Sequence, residues 1–100
     1  MFGLESETIE MICEVFALYA VVDEVILYGS RAKGTQREFS DIDLTMKGER
    51  IKHSDLTKIQ NDLDDLLLPY EIDLAIYDTI SNPNLIDHIM RVGKTIYKAS

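Results

Sequence analysis

The sequence predicts an α+β fold: a small mixed sheet with helices packed on one side, forming two layers around one core. Three observations carry this. Several stretches repeat apolar residues at three- and four-residue spacing, the period of a helix with one buried face. Others, VILY and EIDLAIY, are short apolar or alternating runs of strand length. These stretches follow the order helix, strand, strand, helix, strand, helix, with no internal repeat, low-complexity segment or linker between them.

The first helix is expected from about Ser6 to Tyr19. Ile9, Ile12, Cys13, Phe16 and Ala20 make its apolar stripe, Ser6 can cap it, and Glu7 suits its first turn. Cys13 lies on the stripe and reads as a small buried hydrophobe. The first strand spans Glu24 to Tyr28. Its four consecutive apolar residues predict cover on both faces. It stops at Gly29-Ser30, where a glycine permits a tight backbone approach or positive φ. Ser30 to Ala32 can make one helical turn, and the second strand runs from about Asp41 to Met46, ended by Gly48.

The next helix is expected from about Ser54 to Leu68. Leu56, Ile59, Leu63, Leu66 and Leu67 form its buried stripe, Ser54 caps it, and Pro69 stops it. His53 reads as a surface residue. The third strand spans about Glu71 to Tyr77, with Ile72, Leu74 and Ile76 alternating with Glu71, Asp73 and Ala75. The last helix runs from about Asn82 to Val92: Asn82 as cap, Pro83 in the first turn, Leu85, Ile86, Ile89 and Met90 toward the core, and Gly93 just past the end. Thr95-Ile96-Tyr97 adds a short final strand.

One hundred residues make a single domain, residues 1–100, with one core. A formal charge of −8 argues against direct nucleic acid binding, which favours a basic face. Asp62, Asp64 and Asp65 read as a solvated helix face. No apolar run approaches the ~20 residues that span a bilayer, so no membrane segment is expected. The start MFGLESE is unlike a signal peptide, and a lone cysteine suits a reducing compartment; both point to the cytoplasm.

The chemistry concentrates between Val25 and Lys47. In the second strand Asp41 and Asp43 are two apart, so they project to the same face while Ile42 and Leu44 face the other way. Paired carboxylates repel and raise each other's pKa unless something positive lies between them. Hard oxygen ligands in this arrangement suit Mg²⁺ or Mn²⁺. The Gly29-Ser30 turn, with Arg31, Lys33 and Arg37 nearby, offers backbone N–H groups and positive charge to a phosphate tail. Asp73 is a further charge inside an apolar strand, costly there without a partner; on a neighbouring strand it would complete a three-carboxylate site. Both histidines are isolated, so no histidine base is assigned. GSRAKGT half resembles a P-loop but lacks the lysine after the second glycine, and the turn is not the G-x-S-x-G of a nucleophile elbow.

GSRAKGTQREFSDIDL resembles the signature of the polymerase-β-type nucleotidyltransferases: an apolar residue, Gly-Ser, a loop of about ten residues, then Asp-apolar-Asp. The chain looks like the minimal nucleotidyltransferases, the single-domain members paired with HEPN proteins. The resemblance implies the two-layer nucleotidyltransferase fold and a Mg²⁺-dependent transfer of AMP from ATP, with two ions. It implies that Asp41 and Asp43 bridge the ions, that Asp73 matches the third carboxylate and helps deprotonate the acceptor, and that Gly29 and Ser30 hold the β- and γ-phosphates. Arg31, Lys33 and Arg37 are candidates for neutralising the triphosphate. Minimal members act as antitoxins that bind a HEPN toxin and adenylylate a tyrosine on it. The toxin's own Arg-x4–6-His pattern is absent, so this chain would be the antitoxin side, in a homo- or hetero-oligomer. Two other readings stay open: a slow or silent binding module, and transfer to a small molecule such as an aminoglycoside.

Overall fold

The computed structural model describes residues 2–35 and 41–99. The elements are α1 (Ser6–Ala17), β1 (Glu24–Tyr28), α2 (Ser30–Lys33), β2 (Ile42–Lys47), α3 (His53–Asp64), β3 (Ile72–Ile76), a 3-10 turn (Tyr77–Thr79), α4 (Pro83–Val92) and β4 (Lys94–Lys98). The expected order is present, with the final strand longer than expected. The four strands make one mixed sheet in the order β3-β2-β1-β4. β1 pairs antiparallel with β2 and β4, whereas β2 pairs parallel with β3. A parallel neighbour needs a crossover, and α3 supplies it. Among the described residues, no helix is long and apolar enough to cross a membrane.

Alternation along the strands sorts the side chains between two faces. Val25 and Leu27 of β1, Ile42, Leu44 and Met46 of β2, and Ile72, Leu74 and Ile76 of β3 share one core with Ile12 and Phe16 of α1 and Ile59 and Leu63 of α3. The other face of β1 carries Ile26 and Tyr28, which pack with Ile89 of α4 in a separate cluster. The helices are therefore not all on one side. α1 and α3 cover one face, and α4 covers the other face over β1. The physical reason lies in β1, whose Val25, Ile26, Leu27 and Tyr28 are all buried and so need cover above and below.

Several helix details depart from expectation. The residue before α1 is Glu5, and no side chain caps that helix, so Ser6 lies within it. α3 begins at His53 and ends at Asp64, and the Asp55 carboxylate accepts the Lys52 N–H at 2.9 Å in place of a Ser54 cap. Leu67 lies beyond α3 with φ 55° and is 88% exposed, because the chain has already turned out of the helix. Met90 is likewise outside the α4 stripe, at 75% exposure. Asp62 is not simply solvated, since it accepts a hydrogen bond from the Tyr19 hydroxyl and ties the segment after α1 to α3. Asn82 does cap α4, accepting from the Asn84 N–H at 2.9 Å. Gly93 ends α4 with a negative φ of −60°. Its lack of a side chain serves close approach, since a Cβ there would overlap the Ile89 carbonyl oxygen and stand 2.7 Å from Ile26 Cγ2. Cys13 is half-buried, and its Sγ donates to the Ile96 carbonyl at 3.2 Å.

Candidate active site

The end of β1 and the starts of β2 and β3 meet at one end of the sheet. Strand register fixes what they present. Asp43 pairs with Tyr28 across the antiparallel pair and with Asp73 across the parallel pair. Tyr28, Asp43 and Asp73 thus form a row on the face opposite the main core, the face on which α4 packs. Asp41 sits just before β2, close enough for its charge to act on Asp43. Neighbouring strands are ~4.8 Å apart, so Asp43 and Asp73 are adjacent charges. Thr45, the next residue of β2 on this face, is fully buried and donates to the Ala75 carbonyl at 3.1 Å, joining the two carboxylate-bearing strands behind the site.

The electrostatics record this crowding. Burial pushes the Asp43 carboxyl above its ordinary value, and repulsion from Asp73 and then Asp41 pushes it further. The Tyr28 phenol is pushed up to about 12 by burial and by the Asp43 and Asp73 charges, so it is neutral across the physiological range. Asp41 and Asp73 are exposed, whereas Asp43 is half-buried.

The turn after β1 is built against the same carboxylate. Gly29 has φ 79° and ψ −155°, a conformation open essentially to glycine alone. A Cβ there would overlap Asp43 Oδ2 and stand 3.2 Å from Asp43 Cγ. The turn and the acid are therefore in contact through the missing side chain. Ser30 opens α2, and amides at its end and just beyond it close back on the turn: Lys33 N–H donates to the Gly29 carbonyl at 3.2 Å and Thr35 N–H to the Ser30 carbonyl at 2.9 Å. Lys33 is exposed at the end of α2.

Arg31 lies differently from the other basic residues read as triphosphate contacts. It is only 3% exposed, with its guanidinium 4.7 Å from the centre of the Tyr70 ring and Nη1 donating to the Phe2 carbonyl at 2.9 Å. That engagement turns it into the fold as an anchor for the N-terminal segment. Arg37 lies outside the described residues.

His88 is the participant that sequence reasoning passed over. From α4, its Nε2 accepts the Gly29 N–H at 3.0 Å, and its ring meets the Tyr28 ring edge-on, with centroids 6.3 Å apart. The partners are 59 residues apart. A lone histidine among the apolar residues of an amphipathic helix carries no local signal of such a contact.

The donor set is one of hard carboxylate oxygens, which suits Mg²⁺. Asp43 and Asp73 supply an adjacent pair from two strands, with Asp41 within electrostatic reach. Among the described residues, no three His, Cys, Asp or Glu side chains are grouped closely enough to hold a metal ion. The three acids form an open cluster, as uncompensated like charges do.

Residues 10–100 match the family model described as polymerase beta, nucleotidyltransferase. Among curated proteins, none matches the chain. Several solved structures resemble it in fold. One is a toxin–antitoxin with AMP-PNP, at 20% identity and TM-score 0.72, covering 97% of this chain and 76% of that one. Another is a tri-AMPylated HEPN toxin in complex with an MNT antitoxin from Shewanella oneidensis, at 15% identity and TM-score 0.71, covering 96% and 74%. A MntA–HepT toxin–antitoxin structure matches at 15% identity and TM-score 0.70, covering 95% and 74%.

Proposed function

We propose, from the premise that this chain belongs to the polymerase beta nucleotidyltransferase family, that it transfers AMP from ATP to a tyrosine hydroxyl on a HEPN-type partner and thereby acts as an antitoxin. The observation that carries the reading is the contact of Gly29 with Asp43 beside Asp73, which joins a phosphate-holding turn to a carboxylate pair. The likeness in fold to a toxin–antitoxin with AMP-PNP and to a HEPN toxin in complex with an MNT antitoxin supports the choice of nucleotide and partner.

In this reading Asp43 of β2, Asp41 just before it and Asp73 of β3 would hold Mg²⁺. When bound, the ions supply Lewis-acid stabilisation of the attacking and leaving oxygens. The chain's own groups do the rest. The Gly29-Ser30 turn seats the β- and γ-phosphates, and exposed Lys33 offsets their charge. The phenol oxygen of the acceptor attacks the α-phosphorus, its proton passes to Asp73, and the bond to the bridging oxygen breaks so that pyrophosphate leaves with the electron pair. Asp73 and Asp41 suit a partner's hydroxyl because both are exposed. Tyr28 stays protonated and takes no part as a base.

The alternative reading is a module that neutralises its partner by binding alone, with the same fold and the same acids but no transfer. One experiment separates the two. A HEPN partner is incubated with ATP and Mg²⁺, and its mass is read for added AMP beside a pull-down. Asp41→Asn with Asp43→Asn keeps the shape and removes the charge. Transfer then falls by orders of magnitude while the pull-down is unchanged. Transfer at the wild-type rate by the double variant refutes the assigned chemistry, and absence of transfer by either protein installs the binding module instead.

A further inference from the structure

The Gly29 peptide is held from two directions. Its Cα faces Asp43 with no room for a Cβ, and its N–H is taken by His88. His88 is itself fixed: its neighbour Ile89 is buried in the cluster with Ile26 and Tyr28, and its ring lies edge-on to Tyr28. An imidazole whose Nε2 accepts an N–H carries its own proton on Nδ1. The amide of Gly29 is thereby spoken for within the fold.

We propose that His88 is a positioning residue for the phosphate turn: by accepting the Gly29 N–H it locks the turn against Asp43, so that the triphosphate is received by Ser30 rather than by the Gly29 amide. Gly29 then acts as the fixed pivot between α4 and the carboxylates. This functional half rests on the nucleotide-transfer reading above. The mechanical half stands on geometry alone. α4 reaches the site through this hydrogen bond, the Tyr28 ring contact and the packing of Ile89 with Ile26 and Tyr28. A helix that covers the far face of β1 thus sets the aim of a turn that local sequence cannot hold.

The test compares the wild-type protein with His88→Phe, which keeps a ring and loses the acceptor, and His88→Gln, which returns an acceptor at similar reach. Amide hydrogen exchange at Gly29 is followed by NMR without ion or nucleotide. Binding of ATP with Mg²⁺ is followed by calorimetry, and transfer by KM and kcat. Loss of one hydrogen bond corresponds to about a three- to tenfold effect. His88→Phe is expected to speed Gly29 exchange and to raise both Kd and KM for ATP by about that factor, leaving kcat nearly unchanged, and His88→Gln to restore all three. If His88→Phe does not fold, His88→Leu makes the same comparison. Unchanged Gly29 exchange, unchanged ATP affinity, or a His88→Gln protein no better than His88→Phe overturns the proposal. A wild-type protein that binds no ATP overturns the nucleotide reading instead, and the exchange measurement then still decides whether His88 locks the turn.

Discussion

Replacing Gly29 by alanine tests the join between turn and carboxylate most directly. Two costs add. The backbone at φ 79° and ψ −155° is worth about 1–3 kcal/mol of strain for any residue with a Cβ. The new methyl also overlaps Asp43 Oδ2, and displacing that side chain from its rotamer costs about 0.5–1.5 kcal/mol. The sum is about 1.5–4.5 kcal/mol, which for a domain of this size lowers Tm by roughly 6–36 °C. Gly34→Ala is the matched control. Gly34 also has a positive φ, 80°, but a Cβ there meets nothing within 4 Å. It carries only the left-handed penalty, about 1 kcal/mol, or roughly 4–8 °C. Melting curves of the ion-free proteins and calorimetry with Mg²⁺ and ATP give the comparison. Gly29→Ala is expected to melt well below Gly34→Ala and to lose ATP binding, while Gly34→Ala keeps it. If the two variants melt together and bind ATP equally, the contact with Asp43 does not organise the site.

Two further outcomes follow from the charges. Asp43 has its folded-state pKa raised, so the stability linked to its proton is complete below the unfolded value and is lost as pH rises through the folded one. At neutral pH its ionisation costs stability, and chelator-treated Asp43→Asn should therefore melt above wild type, the gap closing as pH falls through the carboxylate range; a variant that melts lower contradicts the assigned repulsion. Arg31→Lys should lower stability by about 1–3 kcal/mol in denaturant titration, because lysine cannot both stack on Tyr70 and keep the guanidinium's hydrogen bond to Phe2. Lost ATP binding at unchanged stability would instead return Arg31 to the phosphate.

The parts of this fold that were legible in sequence are those with a local period or a local geometric rule. The i, i+2 spacing of Asp41 and Asp43, and the charge inside EIDLAIY, located the carboxylates because a strand's pleat is fixed. The register that brings Asp73 level with Asp43 is not local, yet the alternation of both strands around apolar neighbours leaves few alternatives. VILY carried more than the layout drawn from it, since four buried residues in a row demand two faces of cover and α4 provides the second. Arg31 and His88 were not legible. Whether an arginine after a glycine turn points to solvent or folds back depends on Tyr70 and Phe2, far away in sequence. His88 meets Gly29 only once α4 has crossed the sheet.

The edges of the sheet bear on solubility. Among the described residues β3 and β4 are its outer strands, each paired with one other strand. An unpaired strand edge invites another chain to add to it, with aggregation as the result. β4 carries Lys94 and Lys98 at its two ends. β3 is Ile72-Asp73-Leu74-Ala75-Ile76, and without Asp73 it would be an uninterrupted apolar edge, the kind of segment that stacks into cross-β ribbons. The carboxylate that strains the site by crowding Asp43 is thus also the gatekeeper of the edge. Neutralising it is expected to relieve the repulsion on Asp43 while exposing the edge to self-association.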